Sequence, residues 1–167
     1  MVNTIKTYKD LIDRVNNFKI DQNIDLSSGE DLTIGIMNLI SIEEHLFYTS
    51  QKTKNKKYLD MLNEIRKMRT ELMREIIKDY EGEVWCISKH LLSSSMRLME
   101  VGTKELKKGE KDKAWKLFEK SYQLYTLFWG LNLSKNEKIE PKKDDSELSV
   151  FSKLGQVVQH AIDCCRE

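Results

Sequence analysis

One proline and seven glycines in 167 residues leave this chain almost no turn punctuation. Folds built from many short strands need frequent breakers, so their scarcity excludes an all-β architecture and points to long, uninterrupted helices. An excess of one charge is missing too, since 28 Lys and Arg face 27 Asp and Glu. A protein whose task is gripping a phosphate backbone ordinarily carries a marked basic surplus, so nucleic acid is not the expected partner. No apolar run approaches the ~20 residues that span a bilayer, and no membrane partner is expected. Residues Met1 to Asp10 are polar and do not read as a signal peptide. Cysteine is scarce and poorly spaced for a disulfide framework: Cys86 stands alone, and Cys164 and Cys165 are adjacent. Cys86 lies in an apolar helical pattern and is expected as a small core residue. These features together give a cytoplasmic expectation. Catalytic signatures are also lacking: there is no Ser-His-Asp arrangement, glycine-rich phosphate loop or zincin motif.

What is present is a globular balance of 40 % hydrophobic and 33 % charged residues, enough for one domain over residues 1–167. Apolar residues recur at helical spacing through most of it. A first helix is predicted over 4–18, with Ile5, Tyr8, Leu11, Ile12 and Val15 on one face. A second, capped by Ser28 or Gly29, runs to about Thr53 with Ile36, Leu39, Ile40, Glu43, Phe47 and Ser50 on one stripe. A third spans about 58–79 and buries Tyr58, Met61, Leu62, Ile65, Met68, Leu72 and Ile76. Gly82 separates it from a fourth over 83–107, and Gly109 separates that from a fifth ending near Leu133. Residues 134–147 are charged, contain Pro141 and read as an exposed linker. A last helix over 148–163 has Val150, Phe151, Leu154, Val157, Val158 and Ile162 to bury. The expected fold is therefore all-α: an antiparallel bundle of four long helices with an additional N-terminal and C-terminal helix.

The helix ending near Leu133 carries more apolar surface than one stripe accounts for. Ala114, Leu117, Phe118, Ser121, Leu124, Tyr125 and Phe128 form one face. Trp115, Tyr122 and Trp129 form a second line, each seven residues from the next. A surface helix of a monomer usually needs one stripe. Either this helix lies at the centre of the bundle, or the second line packs on another chain, where aromatic residues are enriched.

Within residues 98–125, Gly102, Gly109, Ala114, Phe118 and Ser121 stand at one particular spacing, with Leu98 and Val101 at preceding apolar positions. This resembles a single helical hairpin of the tetratricopeptide type, whose small residues let two antiparallel helices approach while an aromatic fills the gap beside them. The resemblance implies a hairpin fold and peptide or protein contact. Glu105 stands where the family has an aromatic residue, no proline ends the second helix, and no second copy follows at the repeat interval.

Three constellations could carry chemistry. The first is a divalent metal site drawn from Glu43, Glu44 and His45, Glu64, Glu71 and Glu75, and Glu83, His90 and Glu100. Carboxylate-bridged bundles use Glu-x-x-His pairs, because residues three apart reach one ion, and no such pair occurs here. Glu44 and His45 diverge by about 100°, and Glu83 and His90 stand about 10 Å apart along one helix. The second is a polar stripe, Glu83, His90 and Arg97, where a histidine beside a carboxylate could move protons and an arginine could hold an anion. Against it, Glu83 suits a helix's first turn and Arg97 suits a neighbouring glutamate. The third is nucleic-acid binding by two basic stretches, Lys52, Lys54, Lys56 and Lys57 with Arg66, Lys67, Arg69 and Arg74, and a lysine run over 104–116. Glu64, Glu71 and Glu75 alternate with the first, Glu105 and Glu110 break the second, and both read as solvated faces. The functional expectation is a protein acting by protein–protein contact: a homodimer through Trp115, Tyr122 and Trp129, with an unidentified protein partner and no cofactor. The alternative is a metal- or small-ligand-binding bundle using Glu44, Glu71, Glu83, His90 and Arg97.

Overall fold

The computed structural model describes residues 27–78 and 83–133, which form four helices with no strand among the described residues. We number them α1 (Ser27–Thr53), α2 (Lys57–Ile76), α3 (Glu83–Lys107) and α4 (Lys111–Leu133). The helices expected over 4–18 and 148–163, and the linker 134–147, lie outside the described residues. No helix among the described residues is long and apolar enough to cross a membrane.

Two short turns make two hairpins. Between α1 and α2, Lys54 takes a positive φ of 53°, and Asn55 Oδ1 accepts the amide of Lys57 at 3.0 Å. An Asn side chain bonding the backbone two residues on is a common way to start a helix after a tight turn. Between α3 and α4, Gly109 sits at φ 86°, a region that side chains with a Cβ rarely adopt. Its amide bonds Leu106 O at 3.0 Å, and the Glu110 amide reaches back to Glu105 O at 3.1 Å, so the last carbonyls of α3 are satisfied.

The α3–α4 hairpin packs closely because small residues recur every seven along both helices. Ser88, Ser95 and Gly102 on α3 are buried against the face of α4 that carries Ala114 and Ser121. Ser95 Oγ donates to Ser121 O at 2.9 Å and Ser121 Oγ returns a bond to Ser95 O at 2.7 Å. A Cβ on Gly102 would stand 2.6 Å from the Phe118 ring. That is the small-residue and aromatic packing expected for 98–125. The α1–α2 hairpin is joined differently, by Leu46 and Leu62 and by an ionic cluster on Glu43.

The hairpins share a core at one end only. The core gathers Ile36 and Met37 of α1, Met73 beside the end of α2 with Ile77 just after it, Val84, Leu91 and Leu92 of α3, and Phe128, Trp129 and Leu131 of α4. Thr33 Oγ1 and the Tyr125 hydroxyl share a hydrogen bond of 2.6 Å there, and the Trp129 ring packs on Gly29. The core thus lies where α1 and α3 begin and α2 and α4 finish, so the turns at 54–56 and 108–110 both project from the opposite end. Each fully buried large apolar side chain in the cluster contributes about 1.5–3 kcal/mol by leaving water.

Three expectations are corrected. Trp129, assigned to an interface, is a core residue of its own chain, 2 % exposed and edge-on to both Tyr125 and Phe128. Cys86 is exposed, because it lies two residues from both Val84 and Ser88 and so faces away from their buried line. On α2 the buried line is Leu62, Arg69 and Met73, which turns Met61 and Met68 outward.

Candidate functional site

On α1, α3 and α4 an apolar line is buried near the core and uncovered toward the turns. On α4, exposure climbs from 2 % at Trp129 to 42 % at Tyr122 and 65 % at Trp115. On α3, Leu92 is fully buried, whereas Met99 and Leu106, seven residues apart on the same side, are nearly half exposed. On α1, Ile36 is buried and Phe47, eleven residues on and so three turns along the same face, is half exposed. The molecule therefore has a closed end and an open end. The Trp115 indole N–H donates to Glu119 Oε1 at 2.9 Å, which leaves the ring free to face outward with its polar atom already satisfied.

Charge follows the same axis. The stretches 52–67 and 103–120, which flank the two turns, hold thirteen Lys and Arg against six Asp and Glu. Since the whole chain is at +1, this end is at +7 and everything else sums to −6. Two lysine runs read separately as solvated faces are placed together by the up-and-down topology. Inside this basic zone Glu105 is buried and bridges Lys108 at 2.7 Å and Lys113 at 2.8 Å across the turn. Hydrogen bonds from Lys108 and then Lys113 hold its carboxyl below the usual range. Glu105 thereby ties α3 to α4.

Between the two ends lies an ionic belt. Glu43 of α1 accepts Arg69 Nε at 2.5 Å and Arg66 Nε at 3.0 Å. Burial alone would push the Glu43 carboxyl up, but the hydrogen bonds from Arg69 and Arg66 outweigh it and hold the group below its ordinary value. The Arg69 guanidinium also touches Met73 Sδ at 3.5 Å, at the edge of the core. Arg97 of α3 pairs with Glu44 of α1 and, at 2.6 Å, with Glu100 of its own helix.

The residues proposed to hold a metal or ligand are not brought together. Glu44 is taken by Arg97. Glu71 lies on the outer surface of α2, in a shallow concavity lined entirely by that helix and including Asp60, Glu64, Arg66 and Lys67. Glu83 is exposed in the first turn of α3, and His90 is exposed one turn of helix below Ser94. Among the described residues, no three His, Cys, Asp or Glu side chains are grouped so that they could hold one ion. Of the interface residues, Trp115 and Tyr122 face outward and Trp129 does not. Sequence reasoning missed Met99, Leu106 and Phe47 as surface residues, because their helical spacing is that of a core stripe and nothing in the pattern marks where a core stops. The shared end of the lysine runs could have been found, since short turns in an up-and-down bundle alternate ends. No protein family, no curated protein and no solved structure matches the chain.

Proposed function

We propose that this protein works by protein–protein contact through the open end of its bundle, and that it forms a homodimer. The observation that carries the reading is Trp115, 65 % exposed on a helix whose other large aromatics are progressively buried. Trp and Tyr are favoured at contact sites because they bring a large rigid apolar area with little side-chain entropy to lose. Tyr122, Met99, Leu106 and Phe47 are also uncovered on the halves of their helices that lead to the turns, and apolar side chains exposed together on an otherwise well-charged chain favour an interaction site. The small-residue packing of the α3–α4 hairpin supplies a rigid platform beneath it.

The experiment is sedimentation velocity of the full chain beside Trp115→Glu and Tyr122→Glu. The expected result is a dimer that becomes a monomer in both variants, with unchanged helical circular dichroism. If both variants keep the parent mass, the contact surface lies elsewhere.

A further inference from the structure

The charge at the open end restricts what can sit on it. Two copies meeting through bare open ends would oppose two zones of +7, so a homodimer through this end needs an acidic segment seated on each of them. The occupant should therefore be apolar along one face and acidic where it meets the lysines. Such a segment exists in the chain itself. Asp144, Asp145 and Glu147 are followed at once by Leu148, Val150, Phe151, Leu154, Val157, Val158 and Ile162 at helical spacing.

We propose that the open end is the docking site for residues 144–162 of this chain. The inference rests on reading that end as a contact surface, and it names the occupant. Asp144, Asp145 and Glu147 would meet the rim lysines, among them Lys111 and Lys116, while Phe151 and Leu154 cover Trp115 and Leu106.

The reach of the chain agrees. Leu133 ends α4 at the closed end, and the 17 residues of helix back to Lys116 measure about 25 Å at about 1.5 Å per residue. Residues 134–143, drawn out at about 3.3 Å each, cover about 33 Å, enough to bring Asp144 to the rim. From there, 148–162 coiled as a helix would be about 22 Å long, nearly the length of the face left uncovered. A connection of fewer than about eight residues could not reach the rim from its own bundle. This one reaches it in the same molecule or in a second copy.

Zero-length carbodiimide coupling tests this, because it joins an ammonium to a carboxylate only where the two already touch. In the full-length protein, mass spectrometry of the digest is expected to show links from Asp144, Asp145 or Glu147 to lysines of 104–116 or 52–57. Those links should fall at least fivefold in Phe151→Asp/Leu154→Asp, whose circular dichroism reports that the bundle is still folded. They should also weaken as salt is raised, since exposed charge pairs are screened. The proposal is overturned if these carboxylates link to lysines throughout the chain without preference, or if the links persist undiminished in the double variant. Repeating the coupling on an equal mixture of ¹⁴N- and ¹⁵N-labelled chains separates this inference from the homodimer. Links between light and heavy peptides support both. Links confined to one isotope support the docked segment and count against the dimer through this end. A dimer that lacks these links leaves the homodimer standing and overturns the segment.

Discussion

The two ends of this bundle are made of similar helices and hold different things in place. At the closed end, four helices converge and Ile36, Met73, Leu92 and Phe128 are almost completely removed from water. At the open end each hairpin stands on its own pairing: α3 with α4 through Gly102 and Phe118, α1 with α2 through Leu46, Leu62 and Glu43. The same apolar periodicity therefore makes a core in one half and an uncovered surface in the other. Stability and contact are therefore divided along the length of the helices, with the Glu43 and Arg97 ion pairs at the division.

Substitutions should break that comparison unequally. Phe128→Ala removes a large side chain from the closed end, where four helices limit relaxation, and is expected to cost about 3–5 kcal/mol in denaturant unfolding. Leu106→Ala removes apolar surface from the open end and should cost clearly less, about 1 kcal/mol, since nearly half of that side chain faces water in the four-helix bundle and only the docked segment covers it. Equal losses at the two positions would mean that the open end is packed as tightly as the closed one.

Next in size is the belt. Glu43→Ala leaves the buried Arg69 guanidinium without its carboxylate, and a loss of about 3 kcal/mol is expected by the same measurement. Its pH dependence has a definite sign. The folded Glu43 carboxyl titrates below its ordinary value of 4.5, so between the folded and unfolded values the unfolded chain binds more protons. The stabilisation is present above about pH 4.5 and is lost as the pH falls through the folded value. A Glu43→Gln chain should have a flatter stability profile below pH 4.5 than the parent, and identical slopes would show that the pair contributes nothing to acid unfolding.

Gly102→Ala should be milder, about 1–2 kcal/mol, because the Phe118 ring that its new methyl meets is only partly buried and can swing outward. Its effect is expected to be confined to the α3–α4 hairpin, seen as faster amide exchange around Ser95 and Ser121 with Met37 and Met73 unchanged. The smallest effect on stability is assigned to Trp115→Ala, within about 0.5 kcal/mol, although it is the residue on which the contact surface most depends. A large loss there would place Trp115 in a buried setting and merge the two ends into one.

Much of this was legible residue by residue. Gly109 marks its turn because the backbone there needs a positive φ, and the 98–125 spacing of glycine, alanine and phenylalanine implies the close hairpin that α3 and α4 form. Arg97 beside a glutamate of another helix was legible as well, as an unpaired arginine on a mixed face seeks a carboxylate. Trp129 was not, because a heptad line of aromatics looks the same whether it faces a neighbouring helix or another molecule. On α2, Met61, Met68 and Leu72 suggested one buried stripe, and the actual line is turned toward Leu62, Arg69 and Met73 because Arg69 follows Glu43 inward. A charged residue at a core position cannot be anticipated without knowing that its counter-ion stands opposite.

Local sequence settled that the described chain is helical, where its helices start and where all but the one ending at Ile76 stop, and which hairpin packs through small residues. These follow from propensity, capping and spacing, which act over a few neighbouring positions. Tertiary structure alone decided that Trp129 is inside and Trp115 outside, that Glu44 and Arg97 meet, and that two lysine runs some fifty residues apart share one end. Burial and charge at a residue are set by what lies across from it in space, and that depends on how far along their length the two hairpins stay together.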